Sequence, residues 1–282
     1  MQGKVVVVTG GTSGIGEIAA EKLAEQGARI VLVARDKTRG EAVLARLRKL
    51  APGAAHGVYY ADLSSLADMK RVANEIAAAE PRIDVLVNNA GAMFNTRHVT
   101  GDGFELTFAL NHLAYFVVTL GLLDSLKAAG NARIVSTAST GHKMAKLDFD
   151  DLQSLKSYSP MQSYGRSKLY NILFTRELAR RLAGTGVTAN CLHPGFVASR
   201  FGDQSGGILQ SMFGVAKLFA IPPEKGAETI VYLASSPDVA GISGKYFYRR
   251  RPAAPSKQAQ DDAAAQRLWD ETGKLTGVVA PA

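Results

Sequence analysis

The chain has 282 residues, 46% of them hydrophobic and 21% charged, with one cysteine (Cys191), five histidines and a net charge of +8. That balance belongs to a globular protein with a large core; one cysteine excludes an internal disulfide and fits a cytoplasmic home, and the scattered histidines give no metal-ligand spacing, so no metal is expected. The basic excess is spread over helix faces, with Arg249-Arg250-Arg251 as its tight cluster and no basic stripe interleaved with aromatics, which argues against nucleic acid. The longest apolar run, residues 115–123, is too short for a membrane span, which needs about 20 residues, and the N-terminus leads straight into a strand with no room for a signal peptide.

Along the chain, short Val- and Ile-rich runs alternate with segments of helical period. Residues 5–9, 30–34, 58–61, 85–88, 133–137 and 187–192 are predicted strands. They show little polar alternation, as expected where helices cover both faces of a parallel sheet. Predicted helices occupy 15–26, 38–50, 66–79, 103–128, 163–182 and 224–234, with Asp36 and Ser65 as N-caps and Gly27 as a stop. The repeated order predicts an α/β fold: a single Rossmann-type doubly wound parallel sheet of about seven strands, helices on both faces, in one domain over 1–282. Two segments stand apart. Residues 196–220 interrupt the alternation, and 252–282 form a C-terminal appendage with a helix near 262–271.

The first strand runs into Thr9-Gly10-Gly11-Thr12-Ser13-Gly14-Ile15-Gly16, which opens a helix. Glycines there permit a tight turn and close approach to a pyrophosphate resting on the helix N-terminus, where free N–H groups and the dipole favour anions. An ordinary glycine-rich turn is the competing reading; the position after an N-terminal apolar strand favours a nucleotide. At the end of the second strand, where a carboxylate would bind the ribose of NAD, stand Ala34 and Arg35. Arg35 can pair with the 2′-phosphate of NADP, so NADP is favoured over NAD. Asp36 offers either an NAD contact or a helix cap. Asp62-Leu63 and Asn88-Asn89-Ala90-Gly91 end the next two strands and would line the crevice. Asp62 reads equally as a capping carboxylate, and Asn88–Gly91 equally as a loop held by its own asparagines.

Tyr164 and Lys168 lie four apart on one helix face, about 6 Å from each other at Cβ. A phenol titrating near 10 needs a cationic neighbour to act as acid and base at neutral pH. Lowering it three units takes about 4 kcal/mol, which one charge at ~4 Å in an effective dielectric of about 20 supplies. Ser139, with Ser136 or Thr137 as alternatives, ends the fifth strand on the edge where a hydroxyl could stabilise a substrate oxygen. Asn111 lies in an apolar helix, either as a satisfied core group or as a link in a water chain from Lys168.

Taken together, TGGTSGIG (9–16), DL (62–63), NNAG (88–91), Asn111, Ser139, YGRSK (164–168) and HPG (193–195) resemble, in order, the motifs of short-chain dehydrogenases/reductases. VARDKTRGE (33–41), LNHLAYF (110–116), SKLYNILFTRELARRL (167–182) and GKYFYRRRP (244–252), with Leu268-Trp269, are similar to the retinol dehydrogenase-like branch. Ser199 departs from it, standing where Thr is common after the PG motif. The resemblance implies a catalytic tetrad of Asn111, Ser139, Tyr164 and Lys168. It further implies Lys168 on the nicotinamide ribose, and Pro194, Gly195 and Val197 against the nicotinamide. Gly10, Thr12, Ser13, Gly14, Ile15, Gly16, Arg35, Asp62, Leu63, Asn89, Ala90 and Gly91 complete the expected cofactor contacts.

Residues 196–220 carry Phe196, Phe201, Ile208, Leu209, Met212, Phe213, Leu218 and Phe219. As a lid they would suit a lipophilic substrate, retinoid-, steroid- or long-chain-aldehyde-like; a packed helix or a contact surface is an equal reading. His142 and His193 are expected to be structural. The expected activity is NADP(H)-dependent hydride transfer on an alcohol/carbonyl pair. A non-catalytic, redox-sensing NADP(H)-binding protein is the alternative, but such a protein would be expected to lose Tyr164 or Lys168. Helices 103–128 and 163–182 could form a homo-oligomer seam, on the strength of the resemblance.

Overall fold

Successive valines of the first strand face opposite ways. Val6 and Val8 enter one core and Val7 the other, all fully buried, so the strand needs helices on both sides. The computed structural model describes residues 1–197 and 221–279. In it β1 (Val5–Thr9), β2 (Arg29–Ala34), β3 (Gly57–Tyr60), β4 (Val85–Asn88), β5 (Arg133–Thr137), β6 (Thr188–His193), β7 (Tyr246–Tyr248) and β8 (Arg251–Pro252) form one sheet of order β3-β2-β1-β4-β5-β6-β7-β8. Every pairing is parallel except β7 with β8. The expected doubly wound α/β architecture is present. It carries eight strands rather than about seven because the chain reverses at Arg249 and Arg250, both at positive φ, and adds a two-residue edge strand.

Helices α1 (Gly14–Glu25) and α2 (Lys37–Leu50) cover one face together with α8 (Pro223–Ser235). The other face is covered by α3 (Leu66–Ala79), α5 (Ala114–Gly121) and α7 (Pro160–Arg181). β1 pairs with β2 on one side and β4 on the other, so the winding reverses between β1 and β4 and opens a crevice at their carboxyl ends. Asp36 and Ser65 cap α2 and α3 as expected, accepting from the backbone N–H of Arg39 and Asp68.

The uninterrupted helix expected over 103–128 is broken into α4 (Leu106–Phe108), a π-helical turn (Ala109–Leu113), α5 and α6 (Leu123–Ala128). Glu105 starts it by accepting from Thr107 and Phe108 N–H groups, both at 2.8 Å. The π turn carries Asn111, whose side chain is held by backbone outside the helix, and such turns re-aim residues at a cost in regularity. After the sheet, α9 (Asp262–Thr276) docks on α7. Trp269 stacks on Phe174 with centroids 5.7 Å apart, and Thr272 meets His112 Nε2 at 3.1 Å. Residues 198–220, most of the expected lid, lie outside the described residues. Among the described residues no helix is long and apolar enough to cross a membrane.

Candidate active site

The glycine-rich loop owes its shape to sterics. Gly10 and Gly14 have φ of +64° and +58°, a region costly for any residue with a Cβ. A Cβ on Gly10 would also lie 2.7 Å from Ala90 Cα, and one on Gly16 would strike Gly10 O and Asn89 Nδ2. Asn89 is the brace of this packing. Its Nδ2 donates to Gly10 O at 3.1 Å, and its Oδ1 accepts from Thr137 Oγ1 at 3.2 Å, tying β1 and β5 to the end of β4. Thr9 Oγ1 accepts from the N–H groups of Asn89 (3.0 Å) and Ala90 (3.2 Å). Thr9→Val would strand two N–H groups, one of them fully buried. We expect it to cost about 2 kcal/mol of unfolding free energy, read by chemical denaturation; a loss within about 0.5 kcal/mol would refute the brace.

Ser13 is the N-cap of α1, yet its side chain makes no capping bond, whereas Asp36, Ser65 and Asp261 cap their helices. The Ser13 hydroxyl, the neighbouring Thr12 and the first N–H groups of α1 thus form a donor set suited to a phosphate. Ile15 packs with the other end of the crevice: a Cβ on Gly226 would lie 2.6 Å from Val197 Cγ2 and 2.7 Å from Ile15 Cγ2. Gly195, at φ +97°, follows Pro194 after β6 and faces Ile221. Arg35 is exposed just beyond β2 and pairs with no carboxylate among the described residues, while Asp36 is engaged as a cap. Asp62 Oδ1 accepts from both the N–H and the hydroxyl of Ser64, so its side chain shapes the turn before α3, and Leu63 is buried.

Tyr164 and Lys168 rise from α7 towards the ends of β4 and β5. Lys168 is buried, donates to Thr137 O at 3.0 Å and holds its Nζ 5.5 Å from the centre of the Tyr164 ring. Of the three hydroxyls at the end of β5, that of Ser139 shares a hydrogen bond with the Tyr164 hydroxyl. Ser136 is buried without a hydrogen-bond partner among the described residues, and Thr137 donates to Asn89. The glycine of the Tyr164–Lys168 motif explains the approach: a Cβ on Gly165 would lie 2.8 Å from Gly141 O. Only its absence lets the turn carrying Ser139 settle against α7.

Electrostatically the pair departs from the expected pattern. Burial pushes Tyr164 up to about 12, partly offset by Ser139, and brings Lys168 down to about 7. The ammonium was expected to lower the phenol; burial instead acts against the charged form of both groups, and the neighbour that lowers Tyr164 is Ser139. Desolvation wins.

Asn111 is fully buried and saturated. Its Oδ1 accepts from Ala92 N–H at 2.9 Å, and its Nδ2 donates to Ala92 O at 2.9 Å and Ser167 Oγ at 3.0 Å. Its side chain braces the β4 loop against α7. Gly91 lies between them: a Cβ there would sit 3.1 Å from Asn111 Oδ1 and 3.4 Å from Lys168 Nζ. Both histidines are engaged within the fold. His142 links Ser139 O (2.6 Å) to the N–H of Ser256 (3.0 Å) in the C-terminal segment, and His193 accepts from Thr140 N–H at 3.3 Å while stacking on Tyr248. Thr9, Gly141, Gly165 and Ser167 had drawn no separate reading as site residues, and Thr137 only as an alternative to Ser139. Each acts through a neighbour distant in sequence, a relation that spacing does not encode.

A family model described as short chain dehydrogenase matches residues 4–206. Mouse retinol dehydrogenase 14 is 41% identical over 99% of this chain and 87% of its own, and human retinol dehydrogenase 13 is 40% identical over 99% and 86%. Among solved structures, a Mycobacterium paratuberculosis protein superposes with a TM-score of 0.80 at 31% identity, covering 100% of this chain and 96% of its own. A Burkholderia cenocepacia short chain dehydrogenase in complex with NADP gives 0.69 at 27%, covering 87% and 96%. The chain is thus an oxidoreductase-fold protein with retinol dehydrogenase relatives along nearly its whole length, and it belongs to the short chain dehydrogenase family.

Proposed function

We propose that the protein is an NADP(H)-dependent oxidoreductase acting on a lipophilic alcohol/carbonyl pair, with Asn111, Ser139, Tyr164 and Lys168 as its reactive group. The observation that carries this reading is the Ser139–Tyr164–Lys168 arrangement at the carboxyl edge of β5, beside the loop of Gly10, Gly14 and Gly16. A bound nicotinamide supplies or takes up the hydride. Tyr164, a phenol up to about 12, is the proton donor to a carbonyl oxygen in reduction, and Ser139 helps hold that oxygen. Lys168 places a positive charge below the Tyr164 ring whenever it is protonated. Asn111 and Gly91 keep the space around Lys168 fixed.

The phosphates would rest on the α1 N-terminus with Thr12 and Ser13. Asn89, Ala90, Asp62 and Leu63 would shape the adenine and ribose side, and Pro194, Gly195 and Val197 the nicotinamide side. Arg35 supports NADP because it is exposed at the ribose end and pairs with no carboxylate among the described residues, whereas Asp36 is committed to its helix. Arg35→Ala is expected to weaken NADPH by about 10- to 100-fold while changing NADH little. An unchanged NADPH/NADH ratio would remove the case for NADP.

A lipophilic substrate is supported by apolar side chains left in solvent near the reactive end. Met144 lies in the turn after Ser139, Met161 opens α7 and Phe196 follows Gly195; they are 60%, 40% and 46% exposed. Residues 196–220 would continue this apolar rim as a lid. The deciding experiment is a panel of apolar aldehydes, ketones and alcohols with each cofactor, following nicotinamide absorbance. Turnover of none of them sinks the reading.

A further inference from the structure

The surroundings of Lys168 are unusual for an ammonium. Lys168 is 3% exposed, and its Nζ, with three protons to donate, makes one hydrogen bond among the described residues, to Thr137 O at 3.0 Å. No carboxylate raises it, and burial lowers it. The packed elements bring few titratable groups. Tyr164 comes from its own helix and Tyr115 from α5; the π-helical turn offers the Asn111 amide, and its His112 turns to Thr272 and is held neutral by burial, at about 4.

What the ammonium has instead is two aromatic faces. The Tyr164 ring centre lies 5.5 Å from Nζ and the Tyr115 ring centre 5.7 Å, both within cation–π range. Tyr115 is fully buried, and its hydroxyl finds no hydrogen-bond partner among the described residues. The ring, then, is the part that contributes. We propose that Tyr115 is a positioning residue of the active site, its ring and that of Tyr164 together clasping the Lys168 ammonium against the Thr137 carbonyl. This rests on Tyr164 and Lys168 being the reactive pair. It adds a residue outside the tetrad, reached from α5 four positions beyond Asn111.

The clasp favours the charged form, so its removal lowers the pH at which Lys168 loses its proton. The test is a carbon-13 NMR titration of lysine-labelled full-length protein without cofactor, the Lys168 signal being assigned with Lys168→Arg. The parent protein should titrate at about 7. Tyr115→Phe keeps the face and removes an unsatisfied hydroxyl, so it should titrate within about 0.3 unit of the parent with no lower Tm. Tyr115→Leu should fall by about one unit, tenfold less ammonium at neutral pH, and the alkaline limb of kcat/KM should move with it. If the leucine variant does not fold, Tyr115→Met fills the volume and carries the same comparison. A leucine or methionine titration unmoved from the parent overturns the proposal; so does a phenylalanine variant that falls as far as leucine. The titration needs no turnover, so it stands apart from the oxidoreductase reading, which fails separately if Tyr164→Phe keeps full activity.

Discussion

Tyr164→Phe should lower kcat by about 10²- to 10⁴-fold, the span general acid–base groups contribute, while cofactor affinity stays within about twofold. The asymmetry follows from the geometry. The hydroxyl shares its hydrogen bond with Ser139 at the end of β5, while the glycine loop is braced by Asn89 and Thr9 independently of residue 164. Removing one oxygen leaves the ring over Lys168 and the packing against Gly141 intact. Steady-state kinetics with the best substrate from the panel, paired with fluorescence titration of NADPH, separates the two quantities. Normal turnover in the phenylalanine variant would place the proton donor elsewhere.

Replacing Lys168 by Met should cost about 10²-fold in kcat/KM at pH 6 and flatten the pH profile above it. A unit charge about 5.5 Å from the ring centre, in an effective dielectric of about 20, is worth about 3 kcal/mol, which converts to a factor of that size. The sign follows from burial. Lys168 is brought down from its ordinary 10.5 to about 7, so the ammonium dominates below that pH and is lost as pH rises through it. Tyr164 stays a phenol throughout, because it would ionise only near 12. Reduction by the parent protein is therefore expected to slow as pH climbs past about 7, with the methionine variant nearly level. A variant that keeps the parent's alkaline fall would assign that titration to another group. Binding events that add charge or exclude water move both limbs, so the free-enzyme profile of kcat/KM is the one to compare.

The C-terminal appendage illustrates how the site is held from a distance. His142 joins Ser139 to Ser256, and Gln258 accepts from Leu147 N–H at 2.8 Å while donating to Ala145 O at 3.2 Å. The segment after Ser139 is thus clamped by residues more than a hundred positions later. Sequence reading set 252–282 apart from the alternating core but had no means of joining it to Ser139.

The order of strands and helices, the glycine loop, and the shared helix face of Tyr164 and Lys168 were determined by the sequence alone. Each depends on local periodicity, on glycine's freedom at positive φ, or on the turn of an α-helix, and these act within a few residues. Tertiary structure decided the rest. Asn111 became a brace because Ala92 and Ser167 surround it, and Asn89 reached Gly10 across 79 positions. It also reversed the expected titration of Tyr164, since spacing gives the distance to a charge while only packing gives the loss of water around the phenol.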